Sequence, residues 1–256
     1  MLSKERLNYI TQRVSNEAGV EIKTLAKELN VSLSTIQRDL RKLEAMGALQ
    51  RDRGGVLSKD YPILSAYNEV ATSAKKAIDA DIKEALAAYA ASLIKDGECI
   101  FIGSGSSAAY LAHHLINRKI TIVSDSLFLN KQLNGFSGKL IMVGGTYDER
   151  YDMFIGSLAN DNLKRMNYDK AFISCSGVDL KQGKVKTIDT EIGMMKQSVM
   201  QNASQSYLLL SSAKFDLQAV DTFAQLSDFD EVICDKWPAK LKKPRNIKIV
   251  ETGEKL

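Results

Sequence analysis

Between Leu25 and Glu44 the apolar positions fall at helical spacing in two runs separated by Asn30-Val31-Ser32. In the second run Ile36, Leu40 and Leu43 recur at three- and four-residue intervals, which gives one apolar stripe. At ~100° per residue, Ser34, Gln37, Arg38 and Arg41 fall on the opposite side of that helix. A helix with an apolar back and an Arg/Gln/Ser front has the layout that enters a DNA major groove, where such side chains read base edges. Ser34, Thr35, Gln37, Arg38 and Arg41 are therefore the expected groove contacts.

The flanking pattern completes a small module. Ser3 can cap a first helix running through Tyr9, Ile10 and Val14 and closed by Gly19, and a second helix spans Thr24 to Leu29. Ser32 caps the third, which ends near Gly47. Ala48 to Leu57 reads as two short strand-like pieces bent at Gly54-Gly55, a wing that presents Arg51 and Arg53 to phosphate. Residues 1–57 thus form a winged helix-turn-helix unit, and residues 58–75, polar and small with Pro62, read as a linker.

From residue 76 to 256 the pattern changes. A helix over Lys75–Ile94 carries Ile78, Ile82, Leu86 and Leu93 on one stripe. Short apolar runs then alternate with helical stretches. The strands are Cys99–Ile102, Ile120–Val123, Leu140–Val143, Ala171–Ser174, Tyr207–Leu210, Val232–Cys234 and Ile247–Val250. The helices follow Ser106, Ser126, Phe154 and Thr190. Nearly continuous apolar strands separated by helices predict a mostly parallel, doubly wound α/β domain.

Composition narrows the function classes. The 256 residues are 45% hydrophobic and 26% charged, values of an ordinary globular protein. Residues 1–58 carry 10 Lys and Arg against 7 Asp and Glu, and the remainder 25 against 24, so most of the net +4 sits on the small module. Cys99, Cys175 and Cys234 lie far apart in apolar runs and give neither a disulfide framework nor a metal site. His113 and His114 are adjacent, which keeps both rings off one metal-binding helix face. Neither a signal peptide nor a membrane-spanning run appears, so a cytoplasmic protein without membrane contact, metal or cofactor is expected.

Ligands on parallel sheets bind in the loops after the strands. The first such loop, Gly103-Ser104-Gly105-Ser106-Ser107, joins a strand to a helix, where glycines let backbone approach phosphate and helix amides point at it. Further loops supply Asp125, Gly144-Gly145, Arg150, Asp179, Glu191 and Lys214. The acids suit sugar hydroxyls; the glycine loop and Lys214 suit phosphate. A competing reading stands beside it. Gly103-x-Gly105-x-x-Ala108 with Asp125 about 20 residues on also satisfies the dinucleotide fingerprint, which would make the chain a nicotinamide-binding redox sensor.

Both halves resemble the DeoR family of bacterial sugar-operon regulators. Val31-Ser-Leu-Ser-Thr-Ile-Gln-Arg-Asp-Leu40, Leu43-Glu44, Gly47 and Gly54-Gly55 follow its helix-turn-helix and wing. The Gly-Ser-Gly-Ser-Ser loop, Gly144-Gly145, Phe172–Asp179, Glu191 and Lys214-Phe215 follow its sensor domain, which is similar to ribose-5-phosphate isomerase. The resemblance implies a homo-oligomeric (dimeric or tetrameric) repressor of a carbohydrate operon, bound to a repeated or palindromic double-stranded operator and modulated by a phosphorylated sugar or polyol. Four positions depart from the family pattern. Gln37 stands where an arginine is usual, and Asp125 where an asparagine is common. Gly103 and Ser211 each replace an aspartate, which argues against retained isomerase chemistry.

Overall fold

The computed structural model describes residues 6–7, 9–10, 13–14, 20–45, 49–52, 55–58 and 79–252, with backbone alone at 45, 50–52 and 55–58. The expected roles of Ser3, Gly19, Gly47, Arg53, Gly54, Lys75 and Ile78, and of residues 59–75 as linker, lie outside this set. Two compact units divide the chain, Met1–Ile63 and Leu64–Leu256.

In the first unit, β1 (Val20–Glu21) leads into α1 (Ile22–Glu28), and α2 (Leu33–Ala45) follows. The turn between the helices passes through Asn30, whose φ of 48° lies in the left-handed region that asparagine tolerates. Ser32 Oγ then accepts from the Thr35 amide at 3.2 Å, which caps α2 as its sequence predicts. Ile36, Leu40 and Leu43 are buried together with Ile10, Val14, Leu25 and Leu49. The wing is real: β2 (Leu49–Asp52) and β3 (Gly55–Ser58) pair antiparallel, with Arg51 opposite Val56. β1 adds a third strand on β3.

The second unit is built on seven strands: β4 (Cys99–Ile102), β5 (Thr121–Ser124), β6 (Lys139–Met142), β9 (Tyr168–Ser174), β12 (Ala203–Leu210), β14 (Glu231–Cys234) and β15 (Ile247–Ile249). All pair parallel, in the order β15-β14-β12-β9-β4-β5-β6. Strand alternation sorts their side chains onto two faces. Ile100, Ile102, Ile122, Phe172, Leu209 and Ile233 pack beneath α3 (Ala80–Ser92), α4 (Ser106–Leu115) and α5 (Leu127–Gln132). Phe101, Val123, Ala171, Ile173, Leu208 and Leu210 pack on the other face against α6 (Ser157–Lys164) and α7 (Thr190–Asn202). Both faces are covered, which is why the strands read as continuous apolar runs.

Two antiparallel additions were not visible in the hydrophobic pattern. β7 (Thr146–Asp148) and β8 (Met153–Ile155) form a hairpin between β6 and α6. β10 (Gly177–Asp179), β11 (Lys184–Thr187) and β13 (Asp221–Gln225) form a separate three-stranded sheet. From β4 the chain winds outward through β5 and β6, then returns to β9 and winds the other way. The reversal therefore lies between β4 and β9, and the carboxyl ends of two such strands are where open α/β sheets form their ligand crevice.

Candidate functional site

The first unit presents one polar helix face. Ser34, Gln37, Arg38 and Arg41 are exposed on α2, while Ile36, Leu40 and Leu43 on its other side are buried. Thr35 is half-buried, its hydroxyl 2.8 Å from Ser32 Oγ; Ser34 Oγ lies 2.8 Å from the same oxygen. These hydroxyls tie the helix start together, whereas Gln37 and Arg38 project freely. Arg41 Nε reaches back to the Gln37 carbonyl at 3.3 Å. Asp39 faces inward from the same helix and accepts from Arg6 Nε at 2.5 Å. Arg51 lies on the wing strand β2.

In the second unit the Gly103–Ser107 loop crosses the β4–β9 reversal. The Gly103 amide donates to the Phe172 carbonyl at 3.0 Å, and Ser174 Oγ donates to the Ser104 carbonyl at 2.7 Å. Gly105 is fixed by two constraints. Its φ is 124°, and a Cβ there would collide with Ser174 Oγ. Gly105 is also the N-cap of α4 and supplies no side-chain bond, so no side chain of the cap competes for the first amides of that ten-residue helix. Such amides, with the helix dipole behind them, favour negative charge. Ser104, Ser106 and Ser107 are buried around them, and Ser107 Oγ has no hydrogen-bond partner.

Asp125 follows β5 and is 3% exposed. Burial lifts its carboxyl to about 7, against the opposing pull of the Lys196 ammonium and of the Ser104 amide that bonds to it. Its Oδ1 has no hydrogen-bond partner. Lys196, on α7, is 7% exposed; its Nζ donates to the Ser174 carbonyl at 3.0 Å and to Thr187 Oγ1 at 3.2 Å. The Phe223 ring lies 5.0 Å from that ammonium. Asp221, at the start of β13, fills the space beside Gly193 on the same helix. Burial raises its carboxyl too, as does Asp189, while Lys196 lowers it.

The crevice thus gathers Gly103 to Ser107, Asp125, Ser174 and Lys196. Other residues expected at the site take flanking positions. Gly144 and Gly145 turn the chain into β7, with Gly145 packed against Ala159 of α6. Arg150 is exposed at the hairpin turn, its guanidinium over the Tyr151 ring. Asp179 Oδ1 accepts from the Lys181 and Gln182 amides and closes the β10–β11 turn. Glu191 is exposed in the first turn of α7. Lys214 ends a short 3-10 turn after β12, half-buried.

Lys196 and Ser174 are absent from the sequence-based set. A signal for Lys196 existed: it lies within the apolar stripe Ile192, Met195 and Val199 of α7, an expensive place for an ammonium. Among the described residues no group of three His, Cys, Asp or Glu is placed to hold a metal, and no helix is long and apolar enough to cross a membrane.

Comparison with known proteins agrees with both halves. The family model for the DeoR-like helix-turn-helix domain matches residues 6–61, and that for the DeoR C-terminal sensor domain matches residues 78–236. The chain is 35% identical over 241 residues to the lactose phosphotransferase system repressor of Lactococcus lactis subsp. lactis, covering 92% of each chain. It is 30% identical over 236 residues to the L-fucose operon activator of Haemophilus influenzae, covering 91% of this chain and 93% of that one. A ribose 5-phosphate isomerase A structure from Methanocaldococcus jannaschii overlaps 54% of this chain and 55% of its own at 20% identity, with a TM-score of 0.40. With a winged DNA-reading unit followed by a sensor domain, the chain belongs to the DeoR family of transcriptional regulators.

Proposed function

We propose that the chain represses a carbohydrate-utilisation operon and is released from, or fixed on, its operator by a phosphorylated sugar or polyol held in the β4–β9 crevice. The observation that carries this reading is the loop at the strand reversal: glycines at 103 and 105, an α4 amino terminus without a side-chain cap, and buried serines at 104, 106 and 107. A phosphate monoester presents several acceptor oxygens to such a cradle. The repressor sign follows the relative that is 35% identical; the 30% relative carries an activator's name.

The dinucleotide reading is the weaker one: three serines crowd the loop, which suits a terminal phosphate monoester better than a pyrophosphate lying against bare backbone. Binding without turnover is the reading for the sensor domain, in a cytoplasmic homo-oligomer whose paired α2 helices meet a symmetric operator.

A thermal-shift screen over phosphorylated sugars and polyols tests the effector. Saturating ligand at a hundredfold excess over Kd adds about 2.7 kcal/mol to the stability of the state it binds. A flat response across the panel refutes the reading. Protein-dependent conversion of any panel member would make the domain an enzyme, and saturable quenching of Trp237 by NADH would restore the nicotinamide reading. Fluorescence anisotropy on operator DNA, with and without the binding sugar phosphate, then gives the sign of control.

A further inference from the structure

The phosphate cradle accounts for Gly103 to Ser107 but leaves two buried charges unexplained. Asp125 and Lys196 enter the crevice from different elements, one from the loop after β5 and the other from α7, and both are more than nine-tenths buried. An ammonium in the apolar stripe of a helix and a carboxylate at a strand end each cost several kcal/mol to bury, roughly, unless their bonds are met. Lys196 is anchored by the Ser174 carbonyl and Thr187 Oγ1, both fixed points of the fold, so its position is set. One side of the Asp125 carboxyl takes the Ser104 amide, which ties it to the phosphate loop itself. The other oxygen, Oδ1, is buried with no hydrogen-bond partner.

Buried polar atoms without partners are few in native proteins, and each calls for a physical account. Oδ1 belongs to a residue at the carboxyl end of β5 that is bonded to the phosphate loop and close enough to Lys196 for the ammonium to favour its ionised form. An acceptor and a donor cation fixed on two sides of one crevice match adjacent hydroxyl and carbonyl or hydroxyl oxygens of a sugar chain. Inorganic phosphate can meet the Lys196 ammonium, but its oxygens are repelled by Asp125 whenever that carboxyl is ionised.

We propose that Asp125 and Lys196 form a second subsite that reads the carbon chain of the ligand. Asp125 Oδ1 accepts from a ligand hydroxyl and the Lys196 ammonium donates to a neighbouring ligand oxygen. The ligand class is a phosphorylated polyol, ketose or aldose with oxygens on adjacent carbons, selected against its deoxy analogue. This subsite rests on the sugar-phosphate reading of the crevice and goes beyond it by separating the group that anchors from the groups that discriminate.

The test uses calorimetric titration of the full chain. Inorganic phosphate serves as the anchor-only probe, and ribose 5-phosphate, 2-deoxyribose 5-phosphate, fructose 6-phosphate, glucose 6-phosphate, sorbitol 6-phosphate and glycerol 3-phosphate form the panel. Asp125→Asn and Lys196→Met are compared with the parent chain, with Lys196→Arg as a charge-conserving variant in case the methionine disturbs α7. The affinity of the best sugar or polyol phosphate is expected to fall about 10- to 100-fold in Asp125→Asn, while that of inorganic phosphate stays within about twofold. The preference for ribose 5-phosphate over its 2-deoxy analogue, or for whichever polyhydroxylated member binds best over glycerol 3-phosphate, is expected to collapse with it. An unchanged ratio of sugar phosphate to inorganic phosphate in Asp125→Asn and in both Lys196 variants overturns the subsite and leaves the effector reading standing. Absence of binding by every panel member to the parent chain overturns both.

Discussion

Arg6 and Asp39, thirty-three positions apart, meet at 2.5 Å, with the guanidinium Nε donating to a carboxylate that is 3% exposed. Asp39 lies on α2 among Arg38, Leu40 and Arg41, so this bond pins the reading helix to the helical residues at the start of the chain. The aspartate also holds the Arg6 guanidinium above its ordinary value. Asp39 is thus a positioning residue for the exposed polar side chains on the opposite side of α2.

Asp39→Ala removes one partner of a buried charged hydrogen bond and leaves the other unmatched. The expected loss is about 2 kcal/mol in the melting of the DNA-reading unit. Operator and non-operator DNA should both bind more weakly, because the whole helix loses its seat. A variant that melts like the parent and binds DNA equally well would show that α2 is held by its apolar stripe alone.

Arg38 and Gln37 carry a different expectation. Both are exposed on the polar face, clear of the core. Arg38→Ala is expected to leave the melting temperature unchanged and to cost roughly 1–3 kcal/mol of discrimination between operator and single-base variants, measured by anisotropy. Equal weakening on all sequences would instead place Arg38 on phosphate. Arginine suits guanine and glutamine suits adenine, so Gln37→Arg should shift the preferred base from adenine towards guanine at one operator position.

Gly105 offers a test of the proposed phosphate loop through its backbone conformation. Gly105→Ala forces a Cβ into a φ of 124° and onto Ser174 Oγ. Such strain costs about 1–3 kcal/mol, and relief requires the loop to lift from β9. The expected result is a lower melting temperature for the second unit and loss of the sugar-phosphate response, with operator affinity retained. Retained sugar-phosphate affinity would remove the loop from the site.

Legibility in the sequence followed the range of the interactions. α2 and the seven parallel strands were readable because local periodicity reports burial on one face or both, and Ile36, Leu40 and Phe172 are wholly buried. The β7–β8 hairpin and the β10–β11–β13 sheet were not. Thr146-Tyr-Asp148 and Gly177-Val-Asp179 are too short to carry a period, and Lys184-Val-Lys-Thr187 is a strand only through its partners near residues 177 and 222. The glycine loop was legible as chemistry because glycine spacing is a local property. Lys196 was not, since what makes it part of the crevice is Ser174 and Thr187, brought to it by the β9 and β11 strands.

Asp125 gives a stability signature that depends on pH. An unperturbed aspartate ionises near 3.8, whereas burial moves Asp125 to about 7 despite the pull of Lys196 and the Ser104 amide. Between these values the folded chain holds a proton that the unfolded chain has released. Stability conferred by this group therefore falls as pH rises from about 4 to about 7, and is level above that window. The full difference is on the order of 4 kcal/mol, taking about 1.4 kcal/mol for each unit of displacement. Asp125→Asn keeps the shape and cannot ionise. Its melting temperature, subtracted from that of the parent at each pH, cancels every other titrating group, and the difference is expected to grow from pH 4 to pH 7 in favour of the variant and then stay constant. A difference that does not vary with pH would mean that Asp125 ionises alike in the folded and unfolded chains, and its carboxyl would then be solvated rather than held in the crevice.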